Sequence, residues 1–598
     1  MGKTKTISNP LTYDNKPVKT RIPLNKFEQN YNLSGTDCRL PVIISIFAQE
    51  SSCFTGEEFA SHLDKEIEKI SNDTGPSPIY FMLSPSTSSE LLIAQYLIKN
   101  GQNVILVGTQ QNNPYTANCR YISTKSPTDF MLDCSWAMFA FWDGKKGGAV
   151  GKNVETAVVK MLKGLRDERN TAQNYEIRFP NTCEIVHFII DRPELNIKNY
   201  EERYLYAHFA ETGTDWFYVN SENVKKLNDG NRAKEKKKNI EKNNKTLSLF
   251  NKAISEFEFT DKKAMVDDLI PVLFKDNARI NDIRNRFVVY DNLSLVNRNK
   301  RLKQSGLLIF IATVALILFE VFSNLYSAWW LLAIYAALFV GVFLIYRKVN
   351  KSRVHENYIY SRVLSEAMRA QCYWYAIGLN KSVRYNYPIA HRTDLEWLYR
   401  SILAIHAVNI SLGGNIGNSN EAKNVDYIKS LWIGKEEYKN QKVKIYGSSQ
   451  LSYFHNSTAK KEKASKKSQR LVKVVSIFSF VAALILIAVV CVTRFISFDF
   501  VDATLLDKIE LGSIFTIGLL PILIAAATTS SAIKSYKEEA TRHKWSEILT
   551  KRVLTDIELD SSETKIRQVF TQYGEQVINE NGDWALMKLE RRPEYIKN

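Results

Sequence analysis

Two paired apolar runs decide the architecture of this chain. The first pair is GLLIFIATVALILFEVF (306–322) with AWWLLAIYAALFVGVFLIY (328–346), and the second is VVSIFSFVAALILIAVVCV (474–492) with LGSIFTIGLLPILIAAATTSSAI (511–533). Each run is about 17 to 23 residues long, enough for a helix to cross a hydrocarbon core of about 30 Å. Inside such a core the backbone must satisfy its own hydrogen bonds, so each run is expected to be helical. No signal peptide is read ahead of them.

The charges around the runs set an expected topology. NRNKRLK (297–303) and RKVNKSR (347–353) flank the first pair. KKEKASKKSQR (460–470) precedes the second, and Lys534, Lys537, Arg542 and Lys544 follow it. The turn 323–327 is uncharged, and 494–510 carries Asp499, Asp502, Asp507 and Glu510 against Arg494 and Lys508. The positive-inside rule makes both pairs hairpins with their turns away from the cytoplasm. Tyr326, Trp329 and Trp330 suit an interfacial belt at the outer end of the first. Both termini are then cytoplasmic.

Most of the 598 residues lie outside the runs, and the formal net charge is +17. Basic flanks beside spans attract anionic lipid. A polyanion such as an oligonucleotide is the second candidate partner, favoured by RAKEKKKNIEKNNK (232–245), which is far from any span. The commonest meaning of that run is a solvated linker or helix face. The seven cysteines form no CxxC pair, and no Cys/His spacing points to a metal.

Between 31 and 200, strand and helix signals alternate. LPVIISIF (40–47), PIYFMLSP (78–85), NVILVGT (103–109), SWAMFAFWDG (135–144) and CEIVHFIIDRP (183–193) read as five strands. The stretches 56–70, 86–101 and 152–165 read as helices, the second with Ser/Thr at its start and Gly at its end. The pattern implies a parallel sheet covered on both faces. Ligands of such folds bind beyond the carboxyl ends of the strands, where strand order reverses. Three strand ends carry suitable groups. Ser84, Thr87, Ser88, Ser89 and Glu90 stand at a helix start, where N–H groups and hydroxyls suit phosphate or ribose. Trp142, Asp143, Gly144, Gly147, Gly148 and Lys152 form a glycine-rich turn with nearby lysines. Asp191 and Arg192 end the fifth strand.

This region, roughly 38–195, resembles the SLOG superfamily of Rossmann-like nucleotide-sensing and nucleotide-processing domains. Trp142, Asp143, Gly144, Gly147 and Gly148 match its W-D-G…G-G turn, with Ala149 where Thr is usual. Ser84 and Pro85 match a second motif, but Ser86–Glu90 replaces its acidic-glycine run, and Phe47, Ala48 and Gln49 replace a G-x-R. These departures favour binding over catalysis. From about 250 onward the chain resembles the SLATT family of membrane effectors. The residues that carry this likeness are Leu364, Glu366, Arg369 and Trp374, the QLSYF segment (450–454), and GEQVINENGDW (574–584).

The expected fold is an α/β Rossmann-like cytoplasmic domain plus an all-α membrane domain of four transmembrane helices in two hairpins. The expected parts are a mobile arm (1–30), the nucleotide-binding domain (31–200), a basic linker (201–260), the first hairpin (261–390), a helical segment (391–470) and the second hairpin with a terminal helix (471–598). The resemblances imply a multi-pass protein of a bacterial inner membrane. They imply a pore under nucleotide or oligonucleotide control that depolarises the membrane in antiphage defence, with a nucleotidyltransferase partner making the signal. No cofactor is expected beyond that ligand. Thr516, Thr528, Thr529 and Ser530 of the fourth run, with Asp499, Asp502 and Glu320 nearer the turns, are the candidate pore-lining groups. One chain with four spans leaves little room for a pore, so the conducting form is expected to be a homo-oligomer, with a tetramer favoured. The alternative is a membrane-attached nucleotide hydrolase using Glu90, Asp143 or Glu155.

Overall fold

The computed structural model describes residues 21–54, 57–109, 119–163, 165–166, 178–179, 183–206, 231–259, 264–270, 274, 276–387, 395–413, 427–439, 442–446, 449–495, 503–560 and 562–590. Its N-terminal part is built on a seven-stranded sheet. The strands are β1 (Val42–Ala48), β2 (Ile79–Leu83), β3 (Asn103–Gly108), β4 (Arg120–Ser123), β5 (Ala137–Trp142), β6 (Glu184–Ile189) and β7 (Glu201–Leu205). They lie side by side as β7-β6-β5-β1-β2-β3-β4. All pairings are parallel except that of β7 with β6. The chain winds outward from β1 to β4, then resumes at β5 on the other side of β1. Strand order therefore reverses between β1 and β5.

Continuous apolar strands need cover on both faces. Val42, Ile44, Ile46, Phe139 and Phe141 enter one core, while Ile43, Phe47, Met138, Ala140 and Trp142 enter the other. The first face is covered by α1 (Glu57–Thr74), α2 (Ser88–Lys99) and a later helix, α5 (Asn231–Ser255); α3 (Pro127–Cys134) and α4 (Lys152–Lys163) cover the second.

Several expectations change here. The sheet is mixed rather than wholly parallel, because β7 returns antiparallel along β6. β4, α3 and β7, which are short or polar, are additional to the elements expected from the sequence. The supposed linker 201–260 contains β7 and α5, and α5 is docked. Leu247 and Phe250 are fully or almost fully buried, each contributing about 1.5–3 kcal/mol on burial. Asn251 accepts from Leu40 N at 2.7 Å and donates to Leu40 O at 2.9 Å, closing a two-way bond with the residue ahead of β1. Of the expected mobile arm, 1–20 lies outside the described residues. Residues 21–30 form a strand, Arg21–Pro23, paired with Met265–Asp267, and a helix, Leu24–Asn30, with Leu24 and Phe27 buried.

The rest is mostly helical, with an antiparallel strand pair, Lys435–Lys439 with Lys442–Tyr446. The helices that carry the apolar runs are α6 (Ala278–Asn324), α7 (Trp329–Lys351), α10 (Gln450–Phe495) and α11 (Ala503–Lys534). Between them lie α8 (Val354–Ala376) and α9 (Glu396–Ile410), and after them α12 (Tyr536–Leu559) and α13 (Glu563–Glu590). Among the described residues, four helices are long and apolar enough to cross a membrane. Phe310, Phe339, Phe478 and Phe480 are each more than 60 % exposed, surface that lipid or neighbouring protein must cover.

The two hairpins share one construction. A helix of 47 or 46 residues (α6, α10) enters, and a return helix (α7, α11) leaves. Just beyond its basic end the return helix is broken by one residue in the left-handed region, Arg353 at φ 50° or Ser535 at φ 49°. A further helix (α8, α12) then runs back along the entering helix. The left-handed region disfavours side chains with a Cβ, so each break is a fixed feature held by its surroundings. The break separates apolar α7 and α11 from polar α8 and α12. The entering helices carry no such break, so each runs about 70 Å at 1.5 Å per residue.

Candidate functional site

The reversal of strand order places the ends of β1, β2, β5 and β6 side by side, with Ala48 paired to Phe141. The expected groups converge on this edge. Thr87, in extended conformation, caps α2 by accepting from Glu90 N at 3.1 Å. Glu90 is buried, and its carboxylate turns back to accept from Ser86 N at 3.0 Å, Ser86 Oγ at 2.9 Å and Ala48 N at 3.4 Å. Burial raises its pKa to about 7, against the opposing pull of the Ser86 bonds. Ser89 Oγ accepts from Ser51 N at 2.9 Å. Ser84 lies in the turn ahead, its carbonyl accepting from Ser86 N at 2.6 Å.

One residue unforeseen in the sequence changes the reading of this helix start. The Glu50 carboxylate accepts from Ser88 N at 2.9 Å and also from Ser88 Oγ. A carboxylate of the chain itself therefore occupies part of the anion-favouring end of α2.

The glycine turn after β5 is arranged differently. Gly144 and Gly147 take φ of 75° and 66°, which explains glycine at both. A Cβ added at Gly147 or Gly148 meets nothing within 4 Å, so the backbone there is open to close approach. Gly147 N donates to Glu155 Oε2 at 2.9 Å. Lys152, exposed, starts α4. Asp143 Oδ1 accepts from Lys145 N at 3.0 Å, and partial burial raises its pKa. Trp142 is fully buried among core residues; its carbonyl is bonded to His187 Nε2 at 2.7 Å. The indole is buried, with its Nε1 side against Gly151 of the turn and beside Gln49. Burial lowers the His187 pKa to about 4.

Gln49 and Arg192 lace these ends together. Gln49, 4 % exposed, accepts from Asp143 N at 3.1 Å and donates to Asp191 Oδ2 at 3.3 Å. Arg192, 2 % exposed, donates to Asp143 O at 2.7 Å and pairs with Glu194 at 3.2 Å. The sequence signals for Gln49 are a polar residue directly after a mostly apolar strand and its place in the segment that stands where the resembled family has G-x-R. The carboxylates of Glu90, Asp143 and Glu155 each accept from a backbone N–H, an arrangement that orders turns.

The membrane half brings some expected residues together and separates others. Glu320 of α6 packs against Gly518 of α11, and its Oε1 accepts from Asn324 Nδ2 at 2.6 Å. The other candidates on α11 lie elsewhere along it. Thr516 Oγ1 donates to Gly512 O at 2.7 Å and Thr528 Oγ1 to Ile524 O at 2.8 Å, so both hydroxyls are satisfied within their own helix. Thr529 is exposed and Ser530 half-buried on the same helix. Asp499 and Asp502 lie outside the described residues, while Asp507 and Glu510 fall in the first turns of α11, which starts ahead of the expected span. Glu366 and Arg369 of α8 pair at 3.2 Å within a buried network that includes Arg362, Asp291 and Asp267. Trp374 donates to Phe570 O at 3.3 Å, and its ring leaves no room for a Cβ at Gly574. Trp584 packs edge-on against Tyr358 at 5.7 Å. Trp374, Gly574 and Trp584, three of the residues that carry the membrane-half resemblance, therefore lie in the contact between α8 and α13, whereas the QLSYF segment lies on α10.

The sheet domain is fastened to the helix that carries the first apolar run. Within α6, Tyr290 donates to Cys38 O at 2.7 Å, Arg286 to Arg39 O at 3.3 Å and Asn285 to Asn32 O at 3.0 Å. On the other sheet face, α9 contributes Leu403, Ala404 and Ala407 to the core, and its Arg400 donates to Ser135 O at 2.7 Å. No protein-family model, curated protein or solved structure matches the chain.

Proposed function

We propose that this chain is a ligand-gated membrane effector. Its Rossmann-like, SLOG-like domain binds a nucleotide or short oligonucleotide, and SLATT-like helices form a pore in a homo-oligomer. The signal comes from a nucleotidyltransferase partner, and depolarisation arrests growth in antiphage defence. One observation carries the reading. The same unbroken helix, α6, is fastened to the sheet domain by Asn285, Arg286 and Tyr290 and supplies the first apolar run. A ligand shifts such an equilibrium only through different affinity for its two states, and a rigid helix shared by both parts supplies the means. The open glycine turn is the best place for phosphate, since Glu50 already occupies part of the α2 start. Backbone bonds to Glu90, Asp143 and Glu155 support binding over hydrolysis.

The test begins with the full chain purified from cells carrying its gene neighbours. Denaturation should release a nucleotide in stoichiometric amount, identified by mass spectrometry. That nucleotide, added to liposomes holding the chain, should change potassium flux. Gly147→Leu with Gly148→Leu should abolish both effects. A nucleotide-free chain whose flux ignores every nucleotide recovered from those cells overturns the proposal.

A further inference from the structure

We propose that the basic end of the helical bundle holds a built site for the headgroup of an anionic phospholipid. The inference rests on reading the four apolar helices as spans, and it is independent of what the sheet domain binds.

A cavity of about 700 Å³ opens where α6, α10, α11, α12 and α13 meet. Arg301, Lys473, Lys537 and Lys588 line it against one carboxylate, Glu538. Arg301 lies just ahead of the first apolar run and Lys473 directly ahead of the third; Lys537 follows the end of the fourth. The cations therefore gather at one level, where apolar helix surface gives way to polar. Ser465, Ser468 and Ser531 add hydroxyls. Ser535, the left-handed residue between α11 and α12, lines the cavity as well. Lys588 forms part of the wall from within the protein. It is 4 % exposed, donates to Ser535 Oγ at 3.0 Å and lies 3.8 Å from Glu539.

The composition of the wall selects a lipid over a soluble anion. Val472, Ala532 and Ile533 line the same cavity. On α10, the half-exposed side chains of Leu471 and Val474 flank the lining residues Val472 and Lys473, and the apolar run continues from Val474. A phosphodiester among the cations would lay its acyl chains along that surface, whereas a free phosphate gains nothing from it. Basic pockets between membrane helices are suited to anionic headgroups for this reason.

The experiment measures phosphatidylglycerol retained by the full chain in detergent, by native mass spectrometry, with phosphatidylcholine as the neutral comparison. The cavity variant is Arg301→Gln, Lys473→Gln, Lys537→Gln. The control removes the same charge from exposed positions of α10 outside the cavity: Lys460→Gln, Lys463→Gln, Lys467→Gln. At the strength of single cation contacts near an anionic surface, the cavity variant should bind phosphatidylglycerol roughly a hundredfold more weakly. The control should bind it nearly as the parent does. The exchange Arg301→Lys, Lys473→Arg, Lys537→Arg should restore retention, which separates loss of the site from loss of the fold. Equal retention by the cavity and control variants overturns the proposal, as does a loss that the charge-conserving exchange does not repair. Displacement of the lipid by millimolar glycerol 3-phosphate would mark a soluble-anion site and also overturn it.

Discussion

Gly518 and Glu320 form a contact between the two hairpins, and a single methyl group tests it. A Cβ at Gly518 would lie 1.8 Å from Glu320 Oε1 and 2.3 Å from Cδ. The carboxyl end is flexible, so Gly518→Ala does not force the helices apart. It forces Glu320 to swing, and the 2.6 Å bond from Asn324 to Oε1 is then lost. Losing a hydrogen bond to such a group costs about 1–2 kcal/mol, and an off-rotamer side chain adds about 0.5–1.5 kcal/mol. Together the expected destabilisation is about 2 kcal/mol. Glu320→Ala removes the obstacle, so Gly518→Ala in that background should cost almost nothing. The assay is equilibrium unfolding in mixed micelles with rising dodecyl sulfate, followed by tryptophan fluorescence, for both single variants and the double. The expected interaction energy is about 2 kcal/mol of mutual relief. Effects that add to within about 0.5 kcal/mol, or a Gly518→Ala protein as stable as the parent, would refute the packing argument.

Three further outcomes follow from other parts of the chain. His187 is buried neutral with its pKa lowered to about 4, so the unfolded chain binds its proton first as pH falls. The parent should therefore lose about 3 kcal/mol between pH 6.5 and pH 4 through this residue; His187→Gln, which keeps a donor for Trp142 O, should show that much less acid sensitivity in urea titrations. Lys300→Pro breaks α6 between its docked and apolar halves at a local cost of about 3 kcal/mol, and should uncouple ion flux from nucleotide while leaving nucleotide binding intact by calorimetry. Thr528→Leu with Thr529→Leu should abolish toxicity while membrane insertion persists by fractionation; persistent toxicity would assign that face to packing.

The sequence disclosed elements whose apolar pattern is local. Each apolar run lies in a helix, and the five long strand signals correspond to β1, β2, β3, β5 and β6. It did not disclose elements whose apolar face is sparse or whose buried groups are charged. Helix α5 opens with a basic run, and its buried apolar residues, Ala233, Ile240, Leu247, Phe250 and Ile254, are widely spaced along it. The docked half of α6 buries Arg284 and Arg286, which periodicity scores as solvent-facing. Arg284 pairs with Asp268 at 3.3 Å, across a break in the helix pattern, and lies over the ring of Tyr31, which is far away in sequence. The sheet-edge residues were legible for the same local reason, as polar groups directly after apolar strands. The roles of Gln49 and Glu50 were not, because they depend on β1 lying between β2 and β5. That arrangement is set by topology rather than by neighbours in the chain.

The two hairpins are built alike but attached differently, and this asymmetry bears on how a signal could travel. Among the described contacts, α6 carries the bonds to the backbone ahead of β1, while α10 carries none of them. The docked part of α6 is also tied to α8 through Asp291 and Arg362 at 3.2 Å. Arg369 of α8 reaches Asp267 at 3.6 Å, on the short strand that pairs with Arg21–Pro23. These charges are half-buried and linked to one another, so separating the pieces leaves several of them unpaired at once. A displacement of the sheet domain should therefore carry the docked half of α6 with it. With no break in α6, that displacement continues into the first apolar run. It reaches the second hairpin where Glu320 meets Gly518. The left-handed breaks at Arg353 and Ser535 lie on the return path, after α7 and α11, where a change of direction can be absorbed without bending the entering helices.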